Sequence, residues 1–513
     1  MAAPARSPEM GCRGTREGIA AVQGDPRMRI ENGGPHIGHE CLVLFPFDDR
    51  SLPYQNGVEL KLYGHTAPCG TTPRVLEPGD PGDPDSLRAI YYGSVHRVED
   101  QLYMWYLGQD HDQGWFSRVC LATSRDGRTW HKPDLGLVEY KGSRRNNLVD
   151  LHQGHVHVQS CVVFHDPDDP EPARRFKMVY QTRIYDWRFA AAFSADGISW
   201  MPHPDNPVGY WLEMAGGMRF NDCYFLTGQG GNHARRLRNL VTYTSYDFED
   251  WSSASVLGMQ RSGGDRLFHA WQGTAGKQIH LGAALWNRSN VMLGFYGMWN
   301  GHPSNDRRLV VMHLGLAVTN DGLHYREPIP DYPIVSAAED GWEVLPDTRT
   351  SDNYPSLIQG QGFENIGEET LFWYAPWPEQ ASDGIRVASW PRDRLGSFKP
   401  YLDQRMASRG DSHVISAPID LEGRPARLSL NVDGRGEHWQ VRCSVLDERM
   451  RPLPGFTAAD CRPVAAGLAE PVTWAGGLDA IPPTQGRIRL RVDFGGIRPE
   501  DASLYALYLD PVA

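Results

Sequence analysis

Short apolar runs recur along this chain in sets of three, each run bounded by turn residues. The first set is LRAIYYGSVHRV, QLYMWYLG and SRVCLATS. VHVQSCVVF, RRFKMVYQT and FAAAFS follow, then AGGMRFN, CYFLTGQ and LVTYTS. A fourth set is QIHLGAALW, NVMLGFYG and LVVMHLGLAVT, and a fifth is PSLIQGQGF, TLFWYAPW and GIRVASW. Runs of this length between turn signals read as β-strands. Four of the sets close on one turn signature: SRDGRTW from Ser124, SADGISW from Ser194, SYDFEDW from Ser245 and TNDGLHY from Thr319. In such a turn the Ser or Thr and the Asp bond nearby backbone N–H groups, and glycine supplies positive φ. Asp126, Asp196, Asp247 and Asp321 are therefore expected to be turn residues rather than catalysts.

Repeated small β-units that would leave sheet edges exposed are best closed radially. The pattern predicts an all-β chain, with a five-bladed β-propeller whose blades run from about Asp85 to Pro400. The regular period of about 40–45 residues and the Gly-His signal of WD40 repeats are missing. Beyond about Arg405 the runs ARLSLNV, HWQVRCSVLD, RIRLRVDF and LYALYL alternate about turns such as DGRG. They predict a C-terminal antiparallel β-sandwich. The expected division is an N-terminal arm over 1–38, the propeller over 39–405 and the sandwich over 406–513.

Composition narrows the classes. The 513 residues include 54 Gly and 38 Pro, which argues against a helical bundle. Sixteen Trp and 21 Tyr argue against disorder. With 51 basic and 63 acidic residues the net charge is −12, which speaks against a nucleic-acid backbone as partner. The eight cysteines contain no C-x-x-C pair, so neither a zinc ribbon nor a disulfide framework is expected. No apolar leader and no membrane-spanning run is seen, so a cytoplasmic protein with no membrane partner is expected. Whether it forms a homo-oligomer is left open.

Several stretches resemble a known group of proteins: Ser124 to Val149, Val163 to Tyr180, Gln359 to Tyr374, Gly455 to Trp474 and Ile488 to Leu509. With five units and a C-terminal sandwich, the chain resembles the furanosidase clan of glycoside hydrolase families 32, 43 and 68. It is most similar to a bacterial branch described as family-32-like. The family-32 motifs of the N-D-P-N-G, R-D-P and E-C types do not stand in this sequence. FHDP, Phe164 to Pro167, is similar to R-D-P but falls at an expected hairpin tip, so Asp166 reads as a turn residue.

The resemblance implies a pocket on the propeller axis, at the face where each innermost strand begins. The loops joining second and third strands open on the same face. Those places collect Asp85, His155, His157, Glu213, His280 and Asp352 from strand starts. From the loops come Asp110, Asp112, Arg183, Trp187, His233, Arg235, Trp299, Asp306 and Trp377. Carboxylates and arginines bond sugar hydroxyls while indoles cover apolar sugar faces.

Glycoside hydrolysis uses two carboxyl groups. Glu213 is the expected acid, because it starts the third inner strand, the blade that carries the acid in the resembling clan. Asp352, Asp110 and Asp85 compete for the partner role. The remaining residues are expected to bind substrate. His155 and His157 would share a strand face, as sugar ligands rather than a metal site, and no cofactor is expected.

The reading is a glycoside hydrolase or transglycosidase acting on a fructosyl or arabinosyl oligosaccharide by two-carboxylate acid/base catalysis. An inverting glycoside phosphorylase, motivated by the arginines of HARRLR, and a non-catalytic carbohydrate-binding propeller are the alternatives.

Overall fold

A computed structural model describes residues 27–35, 37–66, 72–230, 238–261, 273–338, 349–350, 354–377, 384–402 and 411–512. Among these the chain is all-β, and its only helices are short 3-10 turns. The expected runs become strands close to where the pattern put them. Arg88–Val98, Gln101–Gln109 and Ser117–Ser124 pair antiparallel, as do Val158–His165, Phe176–Thr182 and Phe189–Ser194. Leu212–Phe220, Cys223–Gly230 and Leu240–Ser245 form a third set, and Gly276–Asn287, Met292–Gly301 and Val311–Thr319 a fourth. Leu357–Ile366, Glu369–Pro376 and Ile385–Pro391 form the fifth, edged by Arg74–Leu76 from before the first set.

The first strands of these sets pack against one another in chain order, and the last of them returns to Arg88–Val98. A parallel bridge between Gln361 and Ser94 marks that return. The result is a propeller-like arrangement around a common axis. Glycine makes the approach possible. A Cβ on Gly216 would lie 1.9 Å from the Ala283 carbonyl oxygen. Four first strands shift register near such residues, between Ile90 and Ser94, Met214 and Gly216, His280 and Ala283, and Gln359 and Phe363. Buried glutamines then knit the axis. Gln359 donates to the His280 and Gly282 carbonyls at 2.9 and 3.0 Å. Gln361 accepts from Gly217 and Leu285 N–H at 3.2 and 2.8 Å.

The repeated turns do what their sequence predicts. Ser124 Oγ accepts from Gly127 N–H at 2.9 Å, and Asp126 Oδ1 accepts from Arg128 and Thr129 N–H at 2.8 and 2.7 Å. The same bonds recur around Ser194, Ser245 and Thr319. Two of the turns are also clamped by a neighbouring set. The Gly127 carbonyl accepts from Trp130 at 3.1 Å and from Trp373 of the fifth set at 2.9 Å. Trp200 and Trp105 hold the Gly197 carbonyl in the same way, at 3.1 and 2.7 Å.

Asp166 closes the tip of its hairpin, where it also accepts from Tyr224 at 2.6 Å and from Arg219 at 2.9 Å.

The N-terminal segment differs from the expectation. Arg29–Ile30, Leu42–Leu44, Tyr54–Asn56 and Val58–Leu62, read as arm and propeller, instead join two six-stranded sheets with strands from the C-terminal region. Gly396–Pro400 joins one of them as well. These sheets share an apolar core around Trp474, Val441 and Leu504. A second apolar cluster, including Val43, Phe45, Phe295, Phe363 and Ala506, ties them to the fourth and fifth sets. Cys41 is disulfide-bonded, a departure from the cysteine reading, while Cys120, Cys161, Cys223, Cys443 and Cys461 are free and buried.

Candidate active site

Glu213 is the second residue of its strand, between Leu212 and Met214, whose side chains enter the apolar core. Strand alternation therefore sends its carboxyl to the other face. Gln229 stands opposite in register and donates its amide N–H to Glu213 Oε2. The amide oxygen of Gln229 accepts from Leu281 N–H at 3.1 Å, which fixes the amide's orientation.

Around this pair lie side chains from four of the five sets. Arg238 bonds the Gly273 carbonyl and Gln278 Oε1 at 3.2 and 3.3 Å, and its guanidinium lies 4.6 Å from the Trp299 ring. His280 lies 6.0 Å from Trp299 and 5.8 Å from Trp377, ring centre to ring centre. Tyr92 lies 5.4 Å from Trp377. Arg307 donates to the Tyr354 hydroxyl at 3.2 Å.

The electrostatics follow from the partial or full burial of these side chains. Burial raises the Glu213 carboxyl above the ordinary range, with Gln229, Arg238 and Arg307 opposing only in part. Burial, then Arg238 and Arg307, hold His280 well below the usual imidazole range, so it is neutral. Burial, then Glu213 and Tyr354, raise the Tyr92 phenol. Among the described residues, neither arginine makes an ion pair. Tyr92 Oη, His280 Nδ1 and Arg307 Nε are buried without a hydrogen-bond partner among the described residues. Buried polar atoms are nearly always satisfied, so three such atoms in one cluster make it the candidate site. The set can donate a proton from Glu213, offer positive charge from two guanidinia and stack a ring on Trp377.

The other expected residues are distributed as follows. Glu213, His280, Trp299 and Trp377 come together. Asp85 does not join them: it is buried, and its Oδ2 accepts from Tyr106 at 2.7 Å and pairs with Lys132 at 2.6 Å. Asp110 sits in a separate network. Burial alone would raise its carboxyl, but Tyr140, Gln113 N–H, Lys141 and Arg118 hold it below the usual range. Asp112 is exposed and pairs with Lys141 at 2.6 Å.

His155 and His157 do not share a strand face, because a 3-10 turn over His152–Gly154 precedes a strand that starts only at Val158. His155 is exposed, while His157 packs 5.8 Å from Trp187 and accepts from Ser117 N–H at 2.9 Å. Arg183 is exposed in the 3-10 turn Arg183–Tyr185. Asp306, expected to bind substrate, caps the turn Arg307–Leu309 instead and pairs with Arg308 at 2.7 Å. Asp352, His233 and Arg235 lie outside the described residues.

Tyr92 and Gln229 escaped the sequence reading. Tyr92 is inside an apolar run, and Gln229 matters only through its register with Glu213. Among the described residues, no group of three His, Cys, Asp or Glu is placed to hold a metal ion.

No protein-family model matches the chain, and no curated protein sequence matches it. Solved structures do. One belongs to the GH130 family of mannoside phosphorylases, which contains glycoside hydrolases that target β-1,2 mannosidic linkages in Candida mannan. It is 13% identical, with a TM-score of 0.43 over 65% of this chain and 95% of that one. A glycosyl hydrolase from Bacteroides ovatus is 15% identical, with a TM-score of 0.42 over 66% and 97%. A fructofuranosidase from Schwanniomyces occidentalis is 10% identical, with a TM-score of 0.39 over 86% and 98%. At this identity and TM-score the likeness carries no statement about what this chain acts on.

Proposed function

We propose that this chain is a carbohydrate-active enzyme that cleaves or transfers a glycosidic bond, with Glu213 as the general acid. The observation that carries this reading is the Glu213 carboxyl: burial raises its proton affinity, Gln229 orients it, and it stands in a cluster of rings and polar atoms that have no partner among the described residues. Such a group can give its proton to a leaving glycosidic oxygen, and a ring such as Trp377 can cover the sugar's apolar face. In the two-carboxylate form of the reading, Asp352 is the partner, two residues before Tyr354 in the cluster. The furanose substrate, fructosyl or arabinosyl, is supported by the resemblance of the turn and strand stretches alone. We take the ring of first strands to be a five-bladed propeller spanning about 72–391. We take the two six-stranded sheets, with residues 27–62 and 396–400 added to 411–512, to be a β-sandwich that braces it.

A second reading is favoured by one observation. Among the described residues, Arg238 and Arg307 are cations without a carboxylate at ion-pair distance, as an inverting phosphorylase would need to hold phosphate in place of an activated water. A glycoside screen of wild type and Glu213→Gln, run with and without inorganic phosphate, tests both. Turnover lost in Glu213→Gln supports the acid role, and sugar phosphate formed only with added phosphate selects the second reading. Sugar binding without turnover in either protein overturns both in favour of a carbohydrate-binding propeller.

A further inference from the structure

A polar cavity lies beside the first set of strands, and Glu213 is not among its lining residues. Its volume is about 230 Å³, and Asp110, Asp112, Arg118, Glu139, Tyr140 and Lys141 are among the residues that line it. At about 30 Å³ per water, that is room for roughly seven waters, the scale of one monosaccharide ring. Arg118 is 6% exposed. Its Nε donates to the Gly154 carbonyl at 3.1 Å and its Nη2 to Gln113, yet Nη1 is buried and donates no hydrogen bond. The nearest carboxylate oxygen to Nη1 is Asp110 Oδ2 at 3.8 Å, too far for a hydrogen bond.

We propose that this cavity binds one neutral sugar ring, at a site separate from the axial cluster. The charges decide the class of ligand. An anion would meet the Arg118 donor but would also face Asp112 and Glu139. A cation would meet those carboxylates but leave Arg118 Nη1 without an acceptor. A polyhydroxylated ring satisfies both sides, because each hydroxyl both donates and accepts. The walls are already ordered. Tyr140 donates to Asp110, Lys141 pairs with Asp112 at 2.6 Å, and the Arg118 guanidinium lies 5.1 Å from the Tyr140 ring. Trp115, in the same loop as Asp110, lies 6.4 Å from Trp377 of the axial cluster, so the loop has one face on each site. The inference does not depend on bond cleavage at Glu213.

Saturation-transfer NMR of the full chain with D-fructose, L-arabinose, D-mannose and D-galactose tests it. Three proteins are compared: wild type, an axial variant (Glu213→Gln with Trp377→Ala) and a cavity variant (Tyr140→Phe with Lys141→Asn). At least one neutral sugar is expected to bind the axial variant as it binds wild type, and to bind the cavity variant at least tenfold more weakly. Should a thermal melt show the cavity variant unfolded, Asp112→Ala on the exposed rim takes its place, with the same expected weakening. No sugar on the axial variant, or equal binding to the cavity variant, overturns the proposal. So does preferential binding of glucuronate or glucosamine in a parallel arm.

Discussion

Two carboxylates in this molecule, one buried and one half-buried, live under opposite rules. Asp393, where the fifth set meets the C-terminal sheets, is 1% exposed and fully engaged. Arg288 grips both of its oxygens, Tyr508 donates at 2.7 Å and Asn365 at 3.2 Å. Burial pushes its carboxyl up, but Arg288 and these donors outweigh burial and hold it below the ordinary range. Glu213, near the start of its strand, has one amide donor and, among the described residues, no ion pair, and burial wins. A carboxylate that serves the fold has its partners within hydrogen-bond reach. On the proposed reading, Glu213 has been left short of them because it serves a ligand.

The sharpest way to break this contrast is Glu213→Gln. It is expected to lower kcat about 10²–10⁴-fold on any glycoside the enzyme turns over, with the melting curve preserved. A large loss of stability with turnover intact would make Glu213 structural. Asp393→Ala is expected to do the reverse, destabilising the chain by about 3–5 kcal/mol because it strands a buried guanidinium. Urea denaturation measures it.

Gly127→Ala comes next. Its φ of +72° disfavours any side chain, and a Cβ there would lie 2.7 Å from Trp373 Cζ2. A loss of about 1–3 kcal/mol is expected, read from the same denaturation curves.

The two carboxylates also give opposite pH signatures. Glu213 is raised in the folded chain, so its contribution to stability falls as pH rises from its unfolded value near 4.5 to its folded one. Asp393 is lowered, so the stability it confers is complete above its unfolded value near 3.8 and is lost as pH falls toward its folded one. Stability–pH curves of Glu213→Gln and Asp393→Asn, each subtracted from wild type, are expected to slope in these two directions. With Glu213 as the proposed acid, the alkaline limb of kcat/KM is expected to follow it as well, with activity lost as pH rises through its folded value. The smallest effect expected is from Asp306→Asn. It keeps an acceptor for Arg308 N–H and leaves sugar binding and the melting curve as in wild type.

Much of this was legible in the chain. The Ser-Asp-Gly turns are local: donors and acceptors sit within a few residues of each other, so spacing alone places the bonds. The apolar runs likewise announce their strands. Glu213 was legible by position, as the polar residue at the start of an inner strand. Asp85 occupies a similar position, yet Tyr106 and Lys132 consume it, and no spacing brings Lys132 to Asp85 in advance. Asp110 is similar, its partners Tyr140 and Lys141 lying beyond the next strand. His155 and His157 were misread because a short 3-10 turn interrupts the alternation assumed for them.

The amino-acid sequence by itself determined the local units: strands of period two, turns closed by their own side chains, and the glycines that permit positive φ. Only the tertiary structure decided which polar groups find partners and which are left without. Local bonds depend on neighbours along the chain. Burial and charge pairing depend on residues such as Arg238, Arg307 and Tyr92, which meet Glu213 only when the ring of strands closes.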